Sequence, residues 1–271
     1  MKTVFPLIMC IILLSGSIVT NYPYAKLTFF SVGDSDATLI TVDGKTIVID
    51  STTEENFKIL KDGLQAENVE KIDYFILTHF DRDHIGSASM LINSYKIGEI
   101  IIPNKYYAFS TDVYDDFLFS LQTYKGKVTE LTKDYTFSGY NFSVSVYPSR
   151  SDYYFFATRN NSSLITKISI YGTDIFLLAD IERDRVKECF HDGIFTQCDI
   201  LKIPHHGIPF DGSDNLFKML SPKVSVTTCS FFRHQRIIND KYNKFCGKMY
   251  FTDFGKITVS INENGYFIDQ M

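Results

Sequence analysis

The stretch Thr78-His79-Phe80-Asp81-Arg82-Asp83-His84-Ile85-Gly86-Ser87 directly follows an apolar run at residues 74–77. It holds two histidines and two aspartates within six residues, and imidazole and carboxylate groups are common ligands of divalent metals in hydrolases. Because alternating loop positions can face two neighbouring ions, His79 and Asp81 can serve one ion. Asp83 and His84 can serve the other. A solvated charged loop is the plainer alternative, but it rarely carries this spacing after so apolar a strand.

Two further strand ends carry residues of the same kind. One apolar run ends in Ala179-Asp180, and another ends in Pro204-His205-His206-Gly207. Four of the six histidines therefore lie in two clusters that follow apolar strands, which favours a site over core histidines. Burying an unpaired carboxylate is very costly, so Asp180 predicts a neighbouring cation, and its two oxygens could bridge two cations. Such a pair could activate water for hydrolysis without a protein nucleophile.

The order of the predicted elements indicates an α/β fold. Strand patterns occur at 27–32, 37–42, 45–49, 73–77 and 99–102, and helical patterns at 54–65, 86–94 and 111–125. The second half repeats this outline, with strands at 164–171, 173–178 and 199–203 and a helix at 183–190. Four later strands, at 224–228, 248–252, 256–261 and 266–268, are expected to complete a second sheet. Because no linker rich in Gly, Ser or Pro separates the halves, we predict one domain.

The composition limits the classes of partner. The chain has 271 residues, 45% of them hydrophobic, and a net charge of −5 at pH 7. Proteins that hold long duplex DNA by neutralising its phosphates usually present a basic face. The acidic balance therefore argues against tight binding of long duplexes, although a metal centre can still attract one phosphodiester group.

The N-terminal segment has the order of a secretory signal peptide. Lys2 precedes an apolar run at 4–14, and small and polar residues follow. The run is too short for an ordinary membrane span. We predict a signal peptide at 1–20, a mature hydrolase domain at 21–271 and secretion. An uncleaved anchor is the alternative, and no stable membrane span is expected after removal of the leader.

Four cysteines remain after the predicted leader, at positions 189, 198, 229 and 246. An even count in an exported chain without a Cys-x-x-Cys spacing fits disulfides better than a thiolate metal site. Local loop closure would suit Cys189–Cys198 and Cys229–Cys246, although sequence cannot choose among the three pairings.

The three motifs together resemble the metallo-β-lactamase family. They are Thr-His-Phe-Asp-Arg-Asp-His-Ile-Gly at 78–86, Ala-Asp-Ile at 179–181 and Lys-Ile-Pro-His-His-Gly at 202–207. More narrowly, they are similar to the hydrolase domain of the DNA-uptake competence protein ComEC and its stand-alone relatives, over about residues 26–268. The resemblance implies a four-layer αββα sandwich, with two mixed sheets, helices on the outer faces and a dinuclear metal site.

The resemblance also implies individual roles for the candidate residues. His79 and Asp81 would hold the first metal, Asp83 and His84 the second, and Asp180 both. His206 would be the further ligand of the second metal, and His205 would be the next candidate for that role. Asp83 could also orient the attacking water as general base, and Asp50 would be a structural support rather than a ligand.

Three positions depart from the family pattern. Many of these enzymes carry a further histidine before the hairpin that ends at the bridging aspartate, where this chain has Asn160-Asn161-Ser162-Ser163. Asn160 is therefore either a weak ligand or substrate contact, or a plain loop residue. His234 stands where the ComEC-like subgroup has Gly-His-Pro, and is either a proton donor or phosphate contact, or a surface histidine. Gly33-Asp34-Ser35-Asp36 keeps the aspartate of the subgroup's Gly-Gln-Gly-Asp but loses one glycine.

Asp81 makes the predicted centre richer in oxygen, because zinc hydrolases of this family usually carry histidine at that position. Oxygen ligands favour harder ions such as Mn²⁺, while the imidazoles keep Zn²⁺ open. The sequence thus predicts a secreted hydrolase with two divalent ions, Zn²⁺ or Mn²⁺, acting on a small phosphodiester or short nucleic acid. No protein partner is inferred. The alternatives are hydrolysis of carboxylic esters, lactones or thioesters, and a non-catalytic binding protein of the same fold.

Overall fold

The computed structural model describes residues 25–105, 111–233 and 241–271. The strands of these segments, in chain order, are β1 (Ala25–Phe29), β2 (Thr38–Val42), β3 (Lys45–Ile49), β4 (Lys71–Ile76), β5 (Lys96–Pro103), β6 (Lys127–Leu131), β7 (Tyr135–Ser138), β8 (Phe142–Tyr147), β9 (Ile165–Ile170), β10 (Thr173–Leu177), β11 (Ile200–Lys202), β12 (Val224–Thr227), β13 (Lys248–Phe251), β14 (Ile257–Asn262) and β15 (Gly265–Gln270). The α-helices are α1 (Phe57–Ala66), α2 (Arg82–Ile85), α3 (Ala88–Ser94), α4 (Asp112–Thr123), α5 (Thr158–Asn161), α6 (Arg183–His191) and α7 (Ser213–Leu220).

The described strands form two mixed sheets. The first sheet has the order β15-β14-β1-β2-β3-β4-β5-β6, and the second has the order β13-β12-β11-β10-β9-β8-β7. Two-residue turns close the hairpins β2–β3 and β9–β10, where Asp43, Gly44, Tyr171 and Gly172 all have positive φ. Such turns match the twist of antiparallel strands.

Three groups of buried apolar side chains show four layers. One group lies between the sheets and includes Leu27, Ile40, Ile168 and Val226. A second packs helices α1, α3 and α4 on the outer face of the first sheet, and a third packs α6 and α7 on the outer face of the second. Each sheet therefore buries both faces at its centre, as the predicted αββα sandwich requires.

The assignment of the last two strands to the second sheet was wrong. β14 pairs antiparallel with β1, with Leu27 opposite Val259, and β15 pairs with β14, so both extend the first sheet. An alternating pattern identifies a strand but not its partner, because pairing is decided by contacts distant in sequence. The sequence reading also missed β6, the edge strand β7 and the helix α7.

The topology directs several strand ends to one edge of the sandwich. β3, β4, β5 and β6 are parallel neighbours in the first sheet, and β10, β11, β12 and β13 are parallel neighbours in the second. The carboxyl ends of β3, β4, β10 and β11 lead directly into the segments that contain the predicted ligands. Loops at the carboxyl ends of parallel strands form the usual site of an α/β fold.

Candidate metal centre

Four side chains from three separate segments meet at this edge: Asp83, His84, Asp180 and His206. One ligand atom from each lies within 4.8 Å of all the others. Nε2 of His206 lies 3.0 Å from Oδ2 of Asp83 and 3.5 Å from Oδ2 of Asp180. Nε2 of His84 lies 3.3 Å from Oδ1 of Asp180 and 3.6 Å from Oδ2 of Asp83. Two imidazoles and two carboxylates thus face one point, and we call this group the tetrad.

The tetrad fits a divalent cation. Within the described residues, Nε2 of His84 and Oδ1 of Asp180 are buried and have no hydrogen-bond partner. Buried polar atoms are nearly always paired, so unpaired atoms that face one another indicate an absent partner. Nitrogen and oxygen donors of this kind suit Zn²⁺ and Mn²⁺. The donor set and its unpaired atoms therefore support a divalent-metal site.

The charges in the tetrad respond strongly to one another. Burial alone would lower the pKa of His206, but the carboxylate of Asp180 raises it to about 10. Burial likewise opposes the charge of Asp180, yet His84 and His206 hold the pKa of its carboxyl well below the usual value. The carboxylates of Asp180 and Asp50 likewise raise the pKa of His84 against the effect of burial. A divalent ion bound here would displace protons from these imidazoles.

The Nδ1 atom of each tetrad histidine contacts a hydrogen-bond acceptor outside the tetrad. Nδ1 of His84 lies 2.8 Å from Oδ2 of Asp50, which also accepts a hydrogen bond from the hydroxyl of Thr78. Nδ1 of His206 donates to the carbonyl of Thr228 at 2.8 Å. Such contacts direct Nε2 toward a metal and fix the ring orientation. Asp50 therefore lies where a supporting residue should be.

The backbone at the strand ends takes the left-handed conformation at several non-glycine residues. Asp50, Ala179, His205 and His206 have φ between 48° and 59°. Such φ values are uncommon outside glycine and concentrate at functional sites. Gly86, in the first motif, is required for a different reason: a Cβ there would lie 2.6 Å from the Cα of Thr53.

His79 and Asp81, the predicted ligands of the first metal, lie beside the tetrad. The His79 ring is 4.0 Å from that of His84, and its Nε2 is buried without a hydrogen-bond partner in the described structure. Burial and the charge of His84 lower the pKa of His79 to about 3, so it is a neutral imidazole. Oδ1 of Asp81 lies 3.3 Å from Nε of Arg159. A basic side chain thus contacts one of the two predicted first-metal ligands.

His205 and Asn160 lie at the opposite margin of the centre. Nε2 of His205 is 3.9 Å from Oδ2 of Asp180, and its Nδ1 is 3.1 Å from Oε1 of Glu182. Nδ2 of Asn160 donates to the same Glu182 oxygen at 3.0 Å and lies 3.5 Å from Nε2 of His205. His206 therefore joins the tetrad while His205 does not. Sequence reasoning missed Glu182, which its position two residues after Asp180 could have suggested.

A buried ion pair lies beneath the tetrad and was also missed. Nζ of Lys202 contacts Oδ2 of Asp36, and both side chains are almost fully buried. The other oxygen of Asp36 accepts a hydrogen bond from the hydroxyl of Thr228. Asp36 lies 3.8 Å from Nδ1 of both His84 and His206. Lys202 was part of a quoted motif, but no sequence rule pairs it with an aspartate 166 positions earlier.

The predicted disulfides are not formed. Cys189, Cys198, Cys229 and Cys246, all within the described segments, are free and buried. They pack in the apolar group between the second sheet and its helices, where their thiols serve as core side chains. Burial raises the pKa of Cys189 to about 11 and those of Cys198 and Cys229 to about 12. The even count was therefore misleading.

Two cavities flank the centre. One, of about 570 Å³, is lined by residues that include Asp81, Asp83, Arg82 and Arg159. The other, of about 370 Å³, lies on the side of Glu182 and has Phe156, Pro209 and Phe210 in its wall. Phe156 belongs to the aromatic stretch at 153–156, where only Tyr154 is buried. His234, the predicted proton donor, lies outside the described residues.

The four-layer αββα fold and the candidate metal site together define the class of this protein as a metal-dependent hydrolase. Residues 31–227 match the model of the metallo-beta-lactamase superfamily, and the chain belongs to that superfamily. ComE operon protein 3 of Bacillus subtilis (strain 168) is 28% identical over 172 residues, which confirms the predicted resemblance to the ComEC-type domain. The match covers 62% of this chain and 21% of that protein, so this chain spans about a fifth of its relative.

Solved structures show the same architecture. The metallo-beta-lactamase fold protein YhfI from Bacillus subtilis superposes with a TM-score of 0.55 at 12% identity, covering 91% of this chain and 99% of that one. A diphosphatase of the PhnP family superposes with a TM-score of 0.51 at 14% identity, covering 83% and 94%. At these identities the likeness establishes the fold.

No helix in the described segments is both long and apolar enough to cross a membrane.

Proposed function

We propose that this protein hydrolyses phosphodiesters with divalent metal ions held at the tetrad. The observation that carries the proposal is the convergence of Asp83, His84, Asp180 and His206, with two buried ligand atoms that make no aligned hydrogen bond within the described residues. Bound divalent ions supply the polarisation of a substrate oxygen and the activation of water. We propose two such ions, Mn²⁺ or Zn²⁺, with the first held by His79 and Asp81 beside the tetrad.

Asp83 is the candidate for orienting the attacking water. Its Oδ2 contacts His206, and the residue also lines the larger cavity, so the carboxylate reaches both the tetrad and the space for substrate. Burial would raise its pKa, but the hydrogen bond from His206 and the charge of His84 hold the pKa of Asp83 below its usual value. Asp83 is therefore ionised at neutral pH and can accept a hydrogen bond from water.

Two observations favour a phosphoryl substrate, and a third limits its size. Two arginines, Arg82 and Arg159, line the larger cavity next to the candidate ligands, and guanidinium groups match phosphate oxygens in geometry. A solved structure of the same fold is a diphosphatase. The net charge of −5 favours a small or single-stranded substrate over a long duplex. We therefore propose small phosphodiesters or short nucleic acids as the substrate class, without a protein partner.

The proposal is tested by cleavage of bis-aryl phosphates and single-stranded DNA by the purified protein, with Mn²⁺ or Zn²⁺ added after treatment with a chelator. We expect metal-dependent cleavage that Asp83→Ala reduces about a thousandfold, because the variant loses both a ligand and the group that orients water. His191→Ala, a histidine exposed outside the centre, is the matched control and should keep full activity. Cleavage of lactones or carboxylic esters without any phosphodiester cleavage would replace this proposal with the ester alternative.

We also propose that the mature enzyme acts after export, on the basis of the leader predicted at 1–20. N-terminal sequencing of protein recovered from the culture medium of a secreting host tests this. A start near residue 21 is expected, and retention of Met1 on cell-associated protein would indicate the uncleaved anchor instead.

A further inference from the structure

The short helix α5 connects the two margins of the metal centre. Asn161 fixes its end, because Oδ1 of this residue accepts hydrogen bonds from the backbone N–H groups of Glu182 and Arg185, at 2.9 and 3.2 Å. Asn160 reaches Glu182 on one side, and Arg159 reaches Asp81 on the other. The backbone that carries Arg159 is therefore anchored, and the position of its guanidinium depends on what it contacts.

Asp81 is open to two competing cations. Its side chain is largely buried, and Arg159 approaches its Oδ1 to 3.3 Å. Burial raises the pKa of Asp81, and Arg159 counteracts that shift. Nε2 of the neighbouring His79 is a second donor that faces no hydrogen-bond partner in the described segments. A divalent ion between His79 and Asp81 would neutralise the carboxylate and so weaken its attraction for the guanidinium.

Arg159 can move to the adjoining cavity. Its side chain is 58% exposed, whereas that of Asp81 is 18% exposed, so Arg159 can change its contacts without opening the core. The cavity of about 570 Å³ begins at these two residues and extends along Asp83. Its other arginine, Arg82, contacts the carboxylates of Glu54 and Glu55, neither of which is a candidate metal ligand. Arg159 is thus distinguished from Arg82 by contacting a carboxylate that a metal would claim.

We propose that Arg159 exchanges partners: it neutralises Asp81 when that carboxylate has no metal ion, and binds a phosphate oxyanion in the adjoining cavity when a metal ion is present there. A guanidinium can donate two parallel hydrogen bonds to a phosphate group, which gives it a strong second partner. The cavity beside Asp81 and Asp83 is then the subsite for the phosphoryl group. This phosphate assignment deepens the proposed function and rests on it, whereas the competition for Asp81 does not.

The exchange has two consequences that do not require turnover. Because an incoming ion must displace Arg159 from Asp81, Arg159→Leu should bind the Mn²⁺ ion at His79 and Asp81 more tightly than the wild-type protein. The same variant should bind inorganic phosphate about tenfold or more weakly once Mn²⁺ is present, since it loses a charge-assisted pair of hydrogen bonds. Arg159→Lys keeps the charge but not the two parallel hydrogen-bond donors of the guanidinium. It should therefore retain the wild-type Mn²⁺ affinity and lose part of the phosphate affinity.

The experiment measures Mn²⁺ binding by equilibrium dialysis and phosphate binding by titration calorimetry, on the full chain. Arg150→Leu is the matched control, because it removes an arginine that pairs with Asp134 and Asp192 and lines neither cavity, and it should change neither affinity. The inference is overturned if Arg159→Leu binds phosphate as the wild type does, or if it binds the Mn²⁺ ion at His79 and Asp81 no more tightly than the wild type does. Circular dichroism establishes that each variant is folded.

The outcomes separate this inference from the proposed function. Phosphodiester cleavage with a phosphate affinity that is insensitive to Arg159 would overturn the inference alone. The predicted shifts in Mn²⁺ and phosphate affinity without any phosphodiester cleavage would support the exchange and overturn the proposed reaction.

Discussion

At the residue scale, the pair Lys202–Asp36 shows how much charge the fold buries to support two histidines. The ammonium is fully buried, and the carboxylates of Asp36, Asp180 and Asp50 raise its pKa against the effect of burial. Asp36, Asp50 and His84 could by themselves group around a cation. The contact between Lys202 and Asp36 supplies that positive charge from the protein, which leaves Nε2 of His84 to the tetrad.

This arrangement predicts a strongly non-additive pair of mutations. Lys202→Met leaves the Asp36 carboxylate buried without its partner and should destabilise the protein by about 3 to 5 kcal/mol. Adding Asp36→Asn removes the unpaired charge and should recover most of that loss. Urea unfolding of the two single variants and the double variant measures the coupling. Equal stabilities for Lys202→Met and the double variant would contradict it.

The raised pKa of His206 predicts how the metal-free protein responds to pH. Its pKa is about 10 in the folded chain, against about 6.5 for an unperturbed histidine. The contribution of protonated His206 to the free energy of unfolding is therefore complete below about pH 6.5 and is lost as the pH rises through about 10. In a buffer that contains a chelator, the free energy of unfolding of the wild-type protein should fall between pH 7 and pH 10. It should fall less steeply for His206→Gln. Identical pH profiles for the two proteins would exclude His206 as the cause.

At the scale of elements, the strand ends explain why the sequence could predict which candidate residues come together. The first motif, Asp180 and the His205-His206 pair each directly follow a buried parallel strand, so position after an apolar run was a sufficient signal. Arg159 and Glu182 were missed because they lie on α5 and just before α6, elements with no apolar run to mark them. The contact of Arg159 with Asp81 arises only when the second sheet packs against the first, and that of Glu182 with His205 arises when β10 and β11 pair.

The side chain of Asn161 links α5 to the start of α6, and we predict that this link contributes to the stability of the protein. Its side chain accepts hydrogen bonds from two backbone N–H groups at the start of α6, where Glu182 provides no side-chain cap. Asn161→Ala leaves these donors unpaired and should reduce stability by about 1 to 2 kcal/mol. Thermal unfolding measures the loss, with the exposed Asn264→Ala as the control. A loss no larger than that of the control would show that α6 begins independently of Asn161.

At the scale of the whole molecule, the sandwich could be predicted from the combined motifs, whereas the sheet partners of the last strands could not. β14 returns across the molecule to pair with β1, and β15 then pairs with β14; the long-range pairing with β1 leaves no local signal. The free thiols have the same explanation. Their burial depends on how α6 and α7 pack on the second sheet, so a count of cysteines could not distinguish core side chains from disulfides.

The buried thiols predict a specific chemical behaviour. Because the pKa values of Cys198 and Cys229 are raised to about 12, these thiols stay protonated at pH 8, and burial blocks access to them. The native protein should react with a thiol reagent only after denaturation, and it should then reveal the four thiols of the described residues. A reducing agent should leave the melting temperature unchanged. A large drop on reduction would show that a disulfide forms after all.

The central claim is that the tetrad holds a divalent ion, and anomalous diffraction from crystals soaked in Mn²⁺ tests it most directly. We predict a strong anomalous peak about 2.0 to 2.3 Å from donor atoms of Asp83, His84, Asp180 and His206. A peak confined to Asp36, Asp50 and the Nδ1 side of His84, or none at either place under saturating Mn²⁺, would contradict the account.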